Sequence, residues 1–460
     1  MSRFILTSAE MRSAEDEAIS EGTPAALLME RAGAAAAEAI ARFAGTVPAL
    51  VLCGPGNNGG DGYVIARRLA ERGSKVRVAA LAEPATAEAR AARSSWTGPV
   101  EEISGASAEP LLVDALFGTG LARPLDEALS GRLAFLAAQA RVRVAVDLPS
   151  GVSTDDGAIL SPIPHFDMTV TFAALKPSHL LQPAARHMGR LAIADIGIEA
   201  ESRLAAIGRP RLRGPGPDDH KYRRGFVAVQ AGAMPGAAAL TAAAAARSGA
   251  GYVRIASAEP VAGVPSAVVQ SPGLGWTSDD PRIGAIAIGP GLGSREGAWA
   301  ALEAALASPA PLVIDADALA HLAERGIERL HGTAQLAVLT PHSGEFERLF
   351  PALQGSKVEK ARAAAAHARA VVVFKGADTV VAAPDGRAAI ARNAPNWLAT
   401  AGTGDVLAGV IAAIRAQGLE AFEAACAGVW LHGRSAELAG PGLIADDLLE
   451  RLAEALAECL

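Results

Sequence analysis

Short apolar runs alternate with alanine-rich segments along most of the chain. Within the runs apolar residues follow one another directly, which is typical of strands buried on both faces of a parallel sheet. Strands that alternate with helices predict an α/β fold in which helices cover both sheet faces. The predicted strands are 49–53, 75–81, 111–115, 142–148, 168–172 and 191–194 in the first half, and 226–230, 252–256, 285–288, 312–314, 336–339, 371–374 and 379–382 in the second.

Short sequence patterns predict several helices and one domain boundary. Thr7 and Glu10 have the spacing of a capping box, so a helix is predicted to begin there. Long helices are predicted over 237–247 and 405–416. Residues 207–219 hold three Pro and three Gly in thirteen positions without apolar periodicity. This composition predicts a linker between a domain at 1–206 and a second domain at 220–460.

Composition narrows the class of protein. Half of the 460 residues are hydrophobic and the net charge is −7, which argues against extended disorder, a nucleic-acid partner and a basic membrane anchor. The polar start of the chain predicts no signal peptide, and no apolar run is long enough for a membrane span. Three Cys without CxxC spacing argue against disulfides and structural zinc. We expect a cytoplasmic homo-oligomer that acts on small molecules.

The first predicted strand leads into the glycine-rich loop 54–62. Ligands of parallel sheets bind at the carboxyl ends of the strands, where this loop lies. Glycines at 54, 56 and 59 match the dinucleotide pattern GxGxxG, which is a weak signal by itself. Asn57, Asn58 and Asp61 add side-chain oxygens, and Asp61 is also placed to cap the following helix.

Polar residues also occur at other strand ends of the first half. Asp114 and Asp147 interrupt apolar runs, Ser150 follows closely, and Lys176 stands after another strand. Asn58, Asp114 and Ser150 would offer oxygen ligands with a single negative charge at one rim. Because Mg²⁺ and Ca²⁺ sites usually gather more carboxylates, this set favours a monovalent cation such as K⁺.

The runs GNNGGDG, VDALFGTGL and VDLPSG and the Lys-Pro strand end resemble the NAD(P)H-hydrate epimerase family over residues 1–198. The resemblance implies a Rossmann-like three-layer αβα domain and K⁺ bound by Asn58, Asp114 and Ser150. Asp147 and Lys176 become candidates for proton transfer. The implied substrate-binding residues are Asn57, Asn58, Gly59, Gly60, Asp61, Gly118, Thr119, Gly120, Leu121, Ala122, Arg123, Pro124 and Asp147.

The second half lacks the P-loop pattern but contains Ala-Gly-Thr-Gly-Asp at 401–405, before an apolar helix. Backbone N–H groups at a helix N-terminus bind phosphate. There Asp405 could act as a general base that takes a proton from a substrate hydroxyl during phosphoryl transfer. The alternative is that Asp405 only stabilises the helix N-terminus. Lys375 follows a strand and suits a nucleotide phosphate. His342 and Glu345 lack further metal ligands nearby, so a metal site is not predicted.

The second half resembles the ribokinase-like superfamily through AGTGD, and the ADP/ATP-dependent NAD(P)H-hydrate dehydratase family more closely. HKYRRG, MPGA, RSGAGYV, IGPGLG, DADAL, TPHSGEF, FKGADTV and AGTGDVLAGVIAA carry the resemblance over about 219–450. It implies a ribokinase-like three-layer αβα domain that uses Mg²⁺ with ADP or ATP. QAGAMPGAA departs from the family by lacking a Gly-Ser pair. The implied hydrate-binding residues are Ala237, Gly291, His342 and Asp405, and the nucleotide-binding residues are Lys375, Gly376, Ala377, Asp378, Thr379 and Gly404.

Together the two resemblances imply an enzyme that repairs hydrated NADH and NADPH, whose ring carries a hydroxyl on C6. The first domain would interconvert the R and S hydrates. The second would use ADP to restore NAD(P)H from the S hydrate, with release of AMP and phosphate. One alternative is a ribokinase-like small-molecule kinase fused to a Rossmann-like nucleotide-binding regulatory domain. Another is a first domain that binds NAD(P) without chemistry. A kinase would leave a phosphorylated product, whereas a dehydratase releases inorganic phosphate.

Overall fold

The computed structural model describes residues 4–272, 280–294 and 296–460. The chain divides into two compact units, Met1–Leu204 and Ala205–Leu460. None of the helices in these described ranges is long and apolar enough to cross a membrane.

The first unit is a parallel sheet with helices on both faces. Its sheet order is β3-β2-β1-β4-β5-β6-β7. The elements in chain order are α1 (Ser8–Ser20), α2 (Ala25–Ala44), β1 (Ala49–Cys53), α3 (Asn57–Glu71), β2 (Val76–Ala80), α4 (Ala87–Ser95), β3 (Val100–Glu102), β4 (Leu111–Ala115), α5 (Glu127–Gln139), β5 (Val142–Val146), β6 (Met168–Phe172) and β7 (Arg190–Ala194).

Alternate residues of the central strands face the two helical layers. Val51 and Cys53 of β1 share a core with Ile40 of α2 and Ile65 of α3. Leu52, on the other face of β1, packs in a separate core with residues of α5. This alternation is the period of two of a β-strand, here buried on both sides. Because β1, β4, β5 and β6 run parallel, the loops that follow them lie at one edge of the sheet.

The second unit contains a larger mixed sheet. Its order is β11-β10-β9-β12-β13-β14-β15-β16-β17-β8. The elements are β8 (Leu204–Ala206), β9 (Phe226–Gln230), α6 (Pro235–Arg247), β10 (Tyr252–Ser257), β11 (Val269–Pro272), β12 (Ala285–Ile288), α7 (Glu296–Leu306), β13 (Leu312–Ile314), α8 (Ala316–Arg325), β14 (Val338–Leu339), α9 (Ser343–Leu349), α10 (Lys357–Ala368), β15 (Val371–Phe374), β16 (Val380–Ala382), β17 (Ala388–Ile390), α11 (Thr403–Ala416), α12 (Ala421–Ala439) and α13 (Ala445–Ala457).

Two helical layers enclose the second sheet as well. Strands β9 to β15 run parallel, and the β15–β16 and β16–β17 pairs are antiparallel. Helices α6, α11, α12 and α13 share one core with alternate strand residues such as Val229 and Val373. On the opposite face, the Phe374 ring of β15 stacks on Phe346 of α9 at 3.9 Å between ring centroids. The predicted fold class, two three-layer α/β domains, is confirmed.

Every predicted strand is present, and the predicted ends differ from the observed ones by at most two residues. The capping box at Thr7 and Glu10 is also confirmed, since each side chain bonds to the other residue's backbone N–H. Both long helices are present, and each begins two residues earlier than predicted, at Pro235 and at Thr403. Strands β3, β8, β11 and β17 were not predicted, because runs of three or four residues carry too little periodicity.

One local interpretation needs correction. Asp61 does not cap a helix, because α3 begins at Asn57 with Gly56 as its N-cap. The predicted linker at 207–219 forms backbone hydrogen bonds with the second unit. The Ile207 backbone N–H donates to the Ile390 carbonyl at 2.9 Å, and the Leu212 N–H donates to the Cys459 carbonyl at 2.9 Å. Proline and glycine content therefore indicated the region of the boundary, while the backbone pairing assigns these residues to the second unit.

Two candidate active sites

The carboxyl ends of β1, β4, β5 and β6 border a cavity of about 520 Å³ in the first unit. Helix α1 contributes Glu15 and Arg12 to its wall. The other lining residues include Asn57, Asn58, Asp61, Gly118, Thr119, Gly120, Leu121, Asp147 and Lys176. The structure thus brings most of the predicted epimerase residues to one cavity.

Asp147 and Lys176 form a buried ion pair in this cavity. The Lys176 Nζ lies 2.7 Å from Asp147 Oδ1, and it also donates to Thr171 Oγ1 at 2.8 Å and to the Phe172 carbonyl at 3.1 Å. All three ammonium hydrogens are therefore committed to protein acceptors. Burial alone would raise the pKa of Asp147, but the Lys176 charge and hydrogen bond lower it below its ordinary value. Asp147 is consequently held as a carboxylate.

The backbone around Asp147 is also restrained. Asp147 has a φ of 63°, in the left-handed region that non-glycine residues rarely adopt. His179 accepts the Lys176 backbone N–H on Nδ1 at 2.8 Å, so its Nε2 carries the proton that is donated to the Asp147 carbonyl at 2.8 Å. Burial lowers the pKa of His179 to about 4, which keeps this tautomer neutral. Since strain of this kind persists only where its surroundings hold it, these bonds support the position of the Asp147 carboxylate.

Asp61 has the opposite electrostatic surroundings. Burial raises its pKa well above the ordinary value, and the negative charges of Asp147 and Glu15 raise it further. Lys176 offsets only part of this effect. The pKa of Glu15 is raised as well, chiefly by burial. The cavity therefore contains one carboxyl group held ionised and another that favours its protonated form.

The glycine loops let the backbone approach these groups closely. The Thr119 N–H donates to Asp147 Oδ2 at 3.0 Å. A Cβ atom at Gly118 would lie 2.9 Å from Asp147 Oδ2 and 3.1 Å from Asn58 Oδ1, which is closer than side chains tolerate. Gly59 and Gly60 do not line the cavity but fit against Gly54 and Met29. Three further predicted residues are exposed outside the cavity lining: Ala122, Arg123 and Pro124.

The three predicted cation ligands lie around the start of the Phe117–Gly118 loop. Ser150 donates from its hydroxyl to Asp114 Oδ1 at 2.7 Å and from its backbone N–H to Asp114 Oδ2 at 2.9 Å. The hydroxyl of Ser150 also accepts the Phe117 N–H at 3.0 Å. Asn58 adjoins Gly118, and its buried Nδ2 has no hydrogen-bond partner among the described residues. Asp114 and Ser150 are therefore in direct contact, and Asn58 approaches the same loop from α3.

The second unit has a mostly apolar cavity of about 600 Å³. It is bordered by the loop after β15, the segment before α11 and the side of α12. Of the predicted residues, His342, Lys375, Gly376, Ala377, Thr379 and Gly404 line it. Two further wall residues, Asn393 and His432, have buried side-chain atoms, Oδ1 and Nε2 respectively, that find no partner in the part of the chain that the structure describes.

Lys375 connects this cavity to Asp405. Its Nζ lies 2.8 Å from Asp315 Oδ1 and 4.0 Å from Glu345 Oε2. A Cβ atom at Gly404 would lie 3.3 Å from the same Nζ, so the ammonium stands against the N-terminus of α11. Burial raises the pKa of Asp405 to about 6, with a further increase from Asp315 and a partial offset by Lys375. Asp405 thus titrates near neutral pH, as suits a general base.

The other predicted hydrate-binding residues lie beside the first turns of α6 and α11. The Thr241 hydroxyl lies 3.0 Å from the Ala237 carbonyl and 3.1 Å from the Asp405 carbonyl, and so links the two helices. Gly291 accepts the Met234 N–H at 2.9 Å, which joins its loop to the segment before α6. Gly291 has a φ of 63°, and a Cβ atom there would collide with the Met234 carbonyl. These contacts connect Ala237 to Asp405 and the Gly291 loop to α6.

The remaining predicted residues have structural partners. Asp378 is buried and pairs with Lys357 Nζ at 2.5 Å, which braces the loop 375–379 from α10. His342 caps α9, since its Nδ1 accepts the Gly344 N–H at 3.1 Å, while Glu345 accepts the His342 N–H at 2.8 Å. The His342–Glu345 spacing therefore reflects a helix cap.

Sequence reasoning missed several residues of both sites. Asp315 follows β13 at the same edge of the sheet as the other strand-end residues, so the strand-end rule applied to DADAL would have identified it. Thr171 and His179 stand near Lys176 in sequence but carry no signal of their own. Asn393 and His432 lie on segments without a recognisable motif, and only packing brings them together.

Comparison with known proteins agrees with this geometry. Residues 227–457 match the family described as NAD(P)H-hydrate dehydratase, and residues 25–178 match the family described as YjeF-related protein N-terminus. Two relatives named bifunctional NAD(P)H-hydrate repair enzyme Nnr are similar over almost the whole chain. The Salinibacter ruber protein is 34% identical over 99% of this chain and 96% of its own length. The Moorella thermoacetica protein is 36% identical over 98% and 96%.

Among solved structures, the second unit is similar to the ADP/ATP-dependent NAD(P)H-hydrate dehydratase from Bacillus subtilis co-crystallised with ATP/Mg²⁺. The identity is 31%, the match covers 54% of this chain and 95% of that one, and the TM-score is 0.49. The two family matches and the two relatives named above favour the repair enzyme over the alternative of a kinase with a regulatory domain. The chain belongs to the family of bifunctional NAD(P)H-hydrate repair enzymes, with an epimerase domain and a dehydratase domain.

Proposed function

We propose that the second unit dehydrates the S hydrate of NADH or NADPH by phosphoryl transfer from ADP or ATP, with Asp405 as general base. The observation that carries this assignment is the position of Asp405 at the N-terminus of α11, in the field of Lys375 and Asp315. The nucleotide occupies the 600 Å³ cavity, where Lys375 and the loop 376–379 face its phosphates. Lys375 supplies positive charge, and the N–H groups of Gly402–Gly404 point at the transferred phosphoryl group.

The reaction has two steps at the C6 hydroxyl. Asp405 takes the hydroxyl proton while the oxygen attacks the terminal phosphorus, which releases AMP when the donor is ADP. The C6–O bond then breaks with its electron pair on the departing phosphate, and loss of a proton from C5 restores the ring double bond. Water is a poor leaving group and phosphate a good one, which explains why a nucleotide is consumed. Mg²⁺ bound to the nucleotide phosphates would add positive charge at the transferred phosphoryl group.

Asp405→Asn tests the general base. Asn keeps the size of the side chain and caps a helix about as well as Asp, but it cannot take up the proton. We expect nucleotide-dependent recovery of NADH from its S hydrate to fall about 100- to 10,000-fold, while S/R interconversion by the same preparation is unchanged. Dehydration within about threefold of the unsubstituted enzyme would retire Asp405 as the base and leave the helix-terminus role. Formation of a stable phosphorylated product instead of inorganic phosphate would point to the kinase alternative.

In the first unit, we propose that the Asp147 cavity epimerises the hydrates. The geometry supports Asp147 as the group that accepts a proton on the substrate side. Lys176 acts through Asp147, because its three hydrogens are all donated to Asp147, Thr171 and Phe172. Gly118, Thr119 and Asn57 border the space in which the hydrated ring would lie.

The same unit is proposed to bind K⁺ through Asn58, Asp114 and Ser150. The support is the donor set: one buried carboxylate with neutral hydrogen-bond partners, one hydroxyl and one amide beside the same loop. Bound K⁺ would hold the Phe117–Gly118 loop in place through charge. Exchange of K⁺ for choline should slow epimerisation, and Asp114→Asn should remove that dependence. Equal rates in K⁺ and choline would contradict this site.

Three further expectations remain proposals. We propose domains at 1–206 and 220–460, joined by a linker at 207–219 that packs against the second unit. A cytoplasmic location is supported by three free cysteines. We also propose a homo-oligomer, which sedimentation of the full chain would test.

A further inference from the structure

Asp61 is a buried carboxyl group to which the proposed epimerase chemistry gives no chemical task. It lines the Asp147 cavity and is 9% exposed. Within residues 4–272, 280–294 and 296–460, no group donates a hydrogen bond to its side chain. Buried carboxyl groups that only support a fold are normally paired or hydrogen-bonded, because an unsatisfied one is costly. A free one that faces a cavity indicates a group that meets the ligand.

The charged groups around Asp61 oppose its ionisation. Asp147 and Glu15 face it with like charge, and the Lys176 ammonium is already committed to Asp147. Arg12 lines the same cavity, and Glu88 lines a smaller recess that also adjoins Asp61. Asp147, in contrast, accepts bonds on both oxygens and stays ionised. Two carboxyl groups with such different surroundings can serve as an acid and an anion in one reaction.

We propose that Asp61 is the proton donor of the epimerisation and that Asp147 is the anion opposite it. This inference rests on the epimerase function proposed above. It adds a catalytic residue to that reaction, since substrate binding alone requires no proton on Asp61.

The proposed step balances as follows. Asp61 gives its proton to the C6 hydroxyl oxygen, and the C6–O bond breaks with its electron pair on that oxygen, so that water leaves. The N1 lone pair forms a C6=N1 double bond, and the negative charge of Asp147 stabilises this cation. A water molecule then adds to the opposite face of C6, and Asp147 takes its proton. One water leaves and one enters, and the proton returns from Asp147 to Asp61 through solvent in the cavity.

Asp61→Asn in the full chain tests the proposal. Asn retains the shape and the capacity to bind a hydroxyl, but it has no acidic proton. We expect kcat for S/R interconversion to fall about 100- to 10,000-fold with KM changed less than about threefold, while dehydration by the same preparation is unchanged. Glu88→Gln is the matched control, because it removes a neighbouring carboxylate of the smaller recess. Its epimerisation rate should stay within about twofold.

The pH profile provides a second readout. An acid must be protonated to act, so kcat of the unsubstituted enzyme should fall on the alkaline side, and Asp61→Asn should lack that limb. A raised KM with unchanged kcat would reduce Asp61 to a binding residue and overturn the proposal. If Asp61→Asn fails to fold, Asp61→Glu replaces it, since Glu retains an acidic proton. An Asp61→Glu variant that epimerises the hydrates and loses kcat at high pH supports the proposal. A folded Asp61→Glu variant without epimerisation contradicts it. A wild-type chain without epimerisation would instead refute the proposed function.

Discussion

The Nζ atom of Lys375 lies 2.8 Å from Oδ1 of Asp315, although 60 residues separate the two in sequence. Asp315 follows β13 and Lys375 follows β15, so the sheet order brings both to one edge. The pair lies beside Gly404 at the N-terminus of α11. The pair therefore fixes the position of the positive charge of Lys375 at the cavity wall, and Asp315 supplies the negative charge that raises the pKa of Asp405.

Asp315→Asn should weaken nucleotide binding and stability together. The change leaves the Lys375 ammonium without its buried partner, and loss of one member of such a pair costs about 3 kcal/mol. We expect a KM for ADP raised about tenfold and a lower unfolding midpoint of the second unit. Glu303→Gln is the control, since its pair with Arg329 is exposed. Similar losses from both substitutions would show that the Lys375 pair has no special role.

The dehydratase rate should depend on the ionisation of Asp405. Its pKa is raised to about 6, so the base form is lost as pH falls through this value. We expect kcat/KM to decline below about pH 6 and to be flat above it. The residual activity of Asp405→Asn should not show this decline at acidic pH. A profile measured at saturating and at limiting nucleotide would check this. If the variant showed the same decline of kcat/KM at acidic pH, the titration would belong to another group.

The same shift has a consequence for stability. A carboxyl group with a raised pKa in the folded state favours folding at low pH, and that contribution is lost as pH rises from about 4 to about 6. The ionised Asp405 therefore destabilises the second unit above pH 6. Asp405→Asn should raise the unfolding midpoint at pH 8 by about 2–5 °C and change it little at pH 4. A midpoint lowered at pH 8 would indicate that Asp405 stabilises α11.

Gly118→Ala should impair epimerisation without unfolding the first unit. The added methyl would lie 2.9 Å from Asp147 Oδ2 and 3.1 Å from Asn58 Oδ1, both of which belong to the proposed site. We expect a fall of about 10- to 100-fold, since a displacement near 1 Å can cost about 100-fold. Gly131→Ala in α5 is the control, because a Cβ there meets no atom within 4 Å. Full activity of Gly118→Ala would place the substrate elsewhere.

The two units should be active as separate fragments, and the second should be most stable when its fragment keeps the backbone hydrogen bonds of Ile207 and Leu212. A fragment 205–460 keeps the bonds of Ile207 to Ile390 and of Leu212 to Cys459, whereas 214–460 loses both. We expect both fragments to dehydrate the S hydrate and the longer one to unfold at a higher temperature. The fragment 1–204 should epimerise. Activity in the full chain but in neither half would contradict independent action.

The sequence by itself determined the fold class and the position in the fold of most candidate site residues. Continuous apolar runs define the buried strands, and parallel strands gather whatever follows them at one edge of the sheet. Asp114, Asp147, Lys176 and Lys375 were identified in this way, and Asp405 was identified by the glycine-rich motif before its helix. Local spacing sufficed for the capping box at Thr7 as well, because its partners lie within one helical turn.

Only the tertiary structure decided the charge state and the partners of these residues. Asp61, Asp147 and Asp405 are the same chemical group in the sequence. Asp147 is held ionised by Lys176, whereas Asp61 favours its protonated form because it is buried beside like charges. Asp405 has a pKa of about 6. Burial and the field of neighbouring charges depend on atoms distant along the chain, which no local pattern records. The pairing of Lys375 with Asp315 could not be predicted from the sequence for the same reason, because it follows from the order of strands in the sheet and not from spacing along the chain.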